Sequence, residues 1–195
     1  MVGFQFQSHQ KTFDAELRGI DLIDHVVDEE RAKHIIAEWD EFWPQSGNSM
    51  NWDAVGVLYG KDHARQVLLL EAKANALEMI STCGAKDEHS RTRIAEALQK
   101  TKSILKVNNN NGWMENYYQY ANRLTVQVFL AERNISAKLV YLYFYKDAVP
   151  GSARHCPASV EEWLPCLTVK NDYLGVAAEE LEKRSFDVFL PVAGA

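Results

Sequence analysis

Three ionisable residues in the first half of the chain have types and spacing that could do chemistry: Asp53, Glu71 and Lys73. Glu71 and Lys73 are two apart, and on a β-strand such residues point to the same face. They follow directly on Val67-Leu68-Leu69-Leu70, an aliphatic run without alternation that suits a strand covered on both faces. Ionisable groups at the margin of a core need compensation. A hard divalent cation, Mg²⁺, Mn²⁺ or Ca²⁺, would supply it for Asp53 and Glu71, because such ions select carboxylate oxygens. The plainer alternative is that Glu71 and Lys73 end an ordinary exposed strand, with Asp53 accepting hydrogen bonds at a strand start.

The element that must position these residues is a hairpin. Asn51 to Tyr59 and Val67 to Lys73 carry the aliphatic and aromatic residues of pleated strands, and the polar loop Gly60-Lys61-Asp62-His63-Ala64-Arg65 opens with glycine. An antiparallel pair follows, in which Asp53 points with Val55 and Val57 rather than with Trp52 and Ala54. Two carboxylates and one ammonium can then meet at one end of the hairpin.

Upstream, Asp28 is the expected N-cap of a helix through Trp43, with Ala32, Ile35, Ile36, Trp39 and Trp43 as its apolar stripe. Glu38 and Asp40 flank that stripe on opposite sides, while Glu41 points away. Pro44-Gln45-Ser46-Gly47-Asn48-Ser49 ends the helix. Residues 1–27 give little beyond an alternating Phe4-Gln5-Phe6-Gln7, which suits a short edge strand.

Downstream, Ala76 to Ile80 suggests a short helical turn, and Glu88 to Leu105 a helix with Ile94, Leu98, Thr101 and Leu105 inward. Asn108 to Gly112 is a turn. Trp113 to Arg133 is helical again, with Trp113, Tyr117, Tyr120, Leu124 and Val128 as its core stripe and Gln119, Asn122 and Arg123 on its polar side. Lys138 to Tyr145, stopped by Pro150-Gly151, reads as a central strand. Ser159 and Glu162 have capping-box spacing, and Pro165 then allows either a short first turn or a restart. An acidic helix from Ala177 to Lys183 precedes a closing strand, Phe186 to Val192. This order predicts a single α/β domain with a mixed sheet.

Asp53 followed by Glu71-Ala72-Lys73 after an apolar strand resembles the signature of the PD-(D/E)XK nuclease superfamily. Trp52 departs from it, standing where the family name has a Pro. The resemblance implies a restriction-endonuclease-like sandwich, a central mixed sheet flanked by helices. It implies that Asp53, Glu71 and the Ala72 carbonyl bind Mg²⁺ or Mn²⁺, and that Lys73 orients the attacking water. It also implies a further carboxylate from the first helix, Glu38 before Asp40. Gln119 and Arg123 would then contact a phosphate or water; the residues alone favour hydrogen bonding at a helix surface.

Composition bounds the function. The chain has 195 residues, 47% apolar and 25% charged, with no stretch of roughly 18 apolar residues that would span a membrane. Met1 to Gln10 lacks a basic segment leading into an apolar run, so no signal peptide is expected. Cys83, Cys156 and Cys166 show no pairing or metal spacing, which suits a reduced cytoplasmic setting. A net charge of −6 argues against gripping nucleic acid over the whole surface, yet Lys86 to Lys106 is net +3 while Ala158 to Phe189 is net −4. His63, His89 and His155 are isolated, and no P-loop, dinucleotide fingerprint, zinc spacing or nucleophile elbow occurs. The function the resemblance implies is metal-dependent hydrolysis of phosphodiester bonds in DNA or RNA. The alternative is a catalytically silent nuclease-like fold acting as a binding or assembly module, with the Trp113 helix serving a protein partner or a homo-oligomer.

Overall fold

The computed structural model describes residues 4–5, 17–45, 50–59, 64–147 and 155–192. Gly60 to His63, Ser46 to Ser49, Phe6-Gln7, Pro150-Gly151 and most of Met1 to Gln10 lie outside them. In chain order the elements are β1 (Phe4–Gln5), β2 (Leu17–Arg18), a 3-10 helix (Gly19–His25), α1 (Glu29–Phe42), β3 (Asn51–Trp52), β4 (Ala54–Tyr59), β5 (Arg65–Lys73), a second 3-10 turn (Ala76–Met79), α2 (Glu88–Ile104), α3 (Tyr118–Glu132), β6 (Ala137–Tyr145), α4 (Val160–Leu174), α5 (Ala178–Arg184) and β7 (Ser185–Pro191).

The main sheet is mixed, in the order β1-β4-β5-β6-β7. β4 runs antiparallel to β1 and β5, with Val57 opposite Val67 and Ala54 opposite Leu70. β5, β6 and β7 are mutually parallel. The register sets rows across the parallel strands: Leu69, Leu139 and Ser185; Glu71, Tyr141 and Asp187; Lys73, Tyr143 and Phe189. The first two residues of each row are buried. β2 and β3 form a separate two-stranded ribbon.

α1 starts where Asp28 accepts the Arg31 N–H at 2.9 Å, an N-cap worth about 1 kcal/mol. Its buried residues, Ala32, Ile35 and Trp39, pack towards α3, with the Trp39 and Phe129 rings edge to face at 5.0 Å. That geometry adds about 0.5–1.5 kcal/mol beyond area burial. Trp43 is the C-cap rather than the last helical residue. α2 buries Ile94, Leu98 and Thr101, with Thr101 bonded to Thr125 of α3 at 3.1 Å. From Tyr120 to Leu130 every residue of α3 is buried, because the sheet lies on one side and α1 and α2 on the other. A helix enclosed in this way is interior, not amphipathic.

Three sequence expectations change. α3 begins at Tyr118, not at Trp113, because Tyr117 sits at φ 50° and breaks the helical path. Pro165 lies inside α4, which neither stops nor restarts there. The contacts that α3 and α4 make with the sheet fall on its Glu71–Tyr141 face, whereas on the opposite face Phe186, Val188 and Leu190 remain 41–50% exposed. The non-alternating run of β5 is accordingly buried unequally, with Val67 and Leu69 at 0% exposure and Leu70 only partly covered. Among the described residues no helix is long and apolar enough to cross a membrane, and all three cysteines are free.

Candidate active site

Glu71 and Lys73 leave β5 on the helix side of the sheet and are each only 5% exposed. Isolated charges at such depth would be strongly penalised, so each must find partners. Glu71 Oε1 accepts from Lys73 Nζ at 2.5 Å, and Oε2 accepts from Arg123 Nε at 3.0 Å and Nη2 at 2.7 Å. Lys73 Nζ also donates to Gln119 Oε1 at 3.0 Å. Arg123 donates further to the Asn51 carbonyl at 2.5 Å and to Asn122 Oδ1 at 3.0 Å, and its guanidinium lies 4.5 Å from the centre of the Trp52 ring. One carboxylate therefore faces two cations, and the buried cluster carries a net positive charge.

Asp53 sits at the rim. It is exposed and lies in a bend between β3 and β4, where the expected alternation breaks: Trp52 is buried, and Asp53 does not share the burial of Val55. The bend turns its carboxylate across the hairpin, and Oδ2 accepts the Ala72 N–H at 2.6 Å. The fold thus brings Asp53, Glu71, Ala72, Lys73, Gln119 and Arg123 together. Gln119 and Arg123 are one helical turn apart, so the two side chains reach Lys73 and Glu71 side by side. Ser81 organises the start of α3, its Oγ accepting the Gln119 N–H at 2.9 Å where Tyr117 provides no side-chain cap.

Glu38 is not part of this group. Its carboxylate accepts from Arg133 Nε and lies 3.2 Å from His34. Arg133 follows Arg123 by ten residues along α3, which separates them by about 15 Å. The helical wheel put Glu38 beside the apolar stripe, but α1 packs against the far end of α3. Asp40 is exposed, and its carbonyl accepts from Arg93 at 2.7 Å.

Periodicity alone misplaced the polar residues of α3. Asn122 and Arg123 are 5% and 4% exposed, not on a solvated helix face. The available signal was the absence of any wholly polar side between Tyr120 and Leu130. Trp52, Asn51 and Asn122 were also missed, since each acts through contact with Arg123 rather than through spacing. Around the cluster, burial pushes the phenols of Tyr118, Tyr120, Tyr141 and Tyr143 above their ordinary range, and the Glu71 charge adds to this at Tyr120 and Tyr141. They remain neutral donors at physiological pH.

The donor set limits which cation could fit. Among the described residues no three His, Cys, Asp or Glu side chains cluster as ligands. Asp53 has one oxygen outside its bond to Ala72, and Glu71 has used three of the roughly four acceptor positions of a carboxylate. Such a set fits an ion that retains most of its own water and takes one or two carboxylates, which is the habit of Mg²⁺ rather than of Ca²⁺. Comparison with known proteins finds no matching family model, no matching curated protein and no matching solved structure.

Proposed function

We propose that the protein is a metal-dependent phosphodiester hydrolase acting on DNA or RNA, with a restriction-endonuclease-like fold and its site at the end of the β4–β5 hairpin. The observation that carries this reading is the meeting of Asp53, Glu71 and Lys73 at the margin of the core, with Gln119 and Arg123 brought in from α3. Asp53 and Glu71, with the Ala72 carbonyl, would hold Mg²⁺ or Mn²⁺. When bound, such a cation polarises a phosphoryl oxygen and lowers the pKa of water.

The remaining chemistry belongs to the chain. Lys73, with three N–H donors directed by Glu71 and Gln119, is placed to orient a water and to offset charge developing on the phosphate. Arg123 has four of its five N–H donors taken by Glu71, Asn51 and Asn122, so its part is to hold the Glu71 carboxylate in place, with the Trp52 ring against its guanidinium. With Asp53 at the rim the site's two anions balance its two cations, so a bound divalent cation would supply the positive charge that draws a phosphodiester to this end of an otherwise acidic protein. Partial burial strengthens each of these interactions relative to water.

A second reading is favoured by one specific feature: both Glu71 oxygens are already satisfied by cations of the chain itself. In that reading the cluster is structural and the fold serves as a binding or assembly module. Thermal unfolding with and without Mn²⁺ separates the two. A melting temperature that rises with Mn²⁺ in the parent and not in Asp53→Ala supports the hydrolase, since only a ligand bound to the folded state stabilises it. Identical curves with and without Mn²⁺ would leave the module.

A further inference from the structure

The face of the main sheet turned away from Glu71 is bare, and the topology explains why. Both parallel connections step the same way along the sheet, β5 to β6 to β7, and right-handed crossovers that step the same way lay their helices on one face. α3 and α4 pack there, and α1 and α2 pack on α3 in turn. α5 joins them, the Arg184 carbonyl at its end accepting from Gln127 of α3 at 2.8 Å. The α-helices of the described residues thus share one side. Parallel strands nonetheless belong to sheets covered on both faces, and β5 and β6 carry the near-continuous apolar runs of such sheets.

The register sets apolar rows across the bare face: Val140 beside Phe186, Leu142 beside Val188 and Phe144 beside Leu190, with β5 continuing the first two. Exposure rises towards the edge, from partial on β6 to 41–50% on β7. No charged side chain interrupts these rows, and Lys138 at one end is turned to the Lys183 carbonyl and the Phe186 ring. A contiguous apolar surface of this kind marks an interaction site, unlike apolar residues scattered singly. The rest of the chain holds too little to cover it. Outside the described residues the large apolar side chains are Met1, Val2, Phe6, Phe13 and Val149, spread over three segments.

We infer that this face is the interface of a homodimer, in which the bare sheets of two copies pack against each other. An uncharged apolar face is complementary to itself, as an isologous two-fold interface requires, whereas a surface of one sign repels its own copy. Sheets packed in this way lie about 10 Å apart, with their strands within about 30° of each other. The area suits a modest dimer. Four strands, β4 to β7, at a spacing of about 4.8 Å and a length of seven residues at about 3.3 Å each, outline roughly 440 Å² per copy. Two such faces with their side-chain relief bury on the order of 1,000 Å², where specific interfaces begin. The Glu71 network lies on the helix side of each sheet, so the interface stands independently of the proposed hydrolase.

Sedimentation of the full chain from about 1 to about 200 μM tests this, a range that brackets the micromolar Kd expected of a small interface. Monomer should give way to dimer across it. Val188→Lys and, separately, Leu190→Lys should each raise Kd about tenfold or more, because every dimer then buries two ammonium groups against apolar side chains. Both side chains are exposed in the single chain, so circular dichroism of each variant at low concentration should match the parent; should one fail to fold, the other carries the test. Val169→Lys is the control, since Val169 is 58% exposed on α4, away from this face, and should leave Kd within about twofold. A chain that stays monomeric at about 200 μM overturns the proposal and leaves the face to a different partner. So does a dimer that a folded β7 lysine variant leaves intact, because its interface then lies elsewhere.

Discussion

Glu71 on β5 and Lys170 on α4, which packs over β6, are buried to nearly the same degree on one face of the sheet, yet they are accommodated in opposite ways. Around Glu71 the anion meets two cations, and a carboxamide and a backbone carbonyl take further donors of those cations. Around Lys170 the cation meets ring faces and one distant phenol, with a cavity left beside it. Burial pushes the Lys170 ammonium below its ordinary pKa, and the Asp187 charge opposes this only in part. The difference teaches that a buried charge is not by itself a sign of a site. A network of matched charges leaves room for a ligand only at its rim, beside Asp53, whereas the Lys170 ammonium keeps donors of its own unmatched.

The largest expected effect comes from opening the closed network. Glu71→Ala strands Lys73 and Arg123 beside each other in the core, and loss of one partner from a buried pair costs about 3–5 kcal/mol. Urea denaturation should show that loss. A change below about 1 kcal/mol would mean that water reaches the cluster, and the contrast with Lys170 would collapse.

Lys73→Met is next. Arg123 still satisfies Glu71, so the variant should fold and take up Mn²⁺, while single-turnover cleavage of DNA or RNA falls on the order of 10², about 2.7 kcal/mol. Undiminished cleavage would make Lys73 a structural partner of Glu71 and nothing more.

Alkaline titration compares the two regions through the tyrosines between them. Tyr118, Tyr120, Tyr141 and Tyr143 have folded pKa values raised above the unfolded value near 10. Their contribution to stability is complete below that value and is lost as pH rises through it. Lys170, with a lowered folded pKa, works the other way, since its contribution is present above its unfolded value and lost as pH falls. Four phenols outweigh one amine, so stability should drop steeply above about pH 10. Tyrosinate absorbance from these residues should emerge together with unfolding; its appearance in a chain that stays folded would show that solvent reaches the wall between the two regions.

The smallest effect is expected at Glu38. Its pair with Arg133 is part-exposed, and such pairs contribute about 0–1 kcal/mol. Glu38→Ala should leave the Mn²⁺-dependent melting shift of the parent intact. An abolished shift would place a carboxylate of α1 in the metal site after all.

Periodicity and local chemistry made much of the architecture legible. The Asp28 cap, the burial of Ile94, Leu98 and Thr101, the β4–β5 hairpin and the central place of β6 all follow from patterns within a few residues. The proximity of Asp53 to Glu71-Ala72-Lys73 was legible for the same reason, since a hairpin brings its own ends together. Glu38 was not, because a helical wheel gives a direction around α1 but no position along α3.

What the sequence by itself determined is therefore local: which residues lie in helices and strands, and that Glu71 and Lys73 share a strand face. Tertiary structure alone decided that α3 is enclosed on every side, that Arg123 reaches Glu71 from a helix instead of facing solvent, and that Lys170 meets Tyr120, Tyr141 and a cavity edged by Asp187. The physical reason is range. Backbone periodicity and capping act over one or two turns, whereas the partner of a buried charge is chosen by how whole elements pack, and no single stretch of chain contains that information.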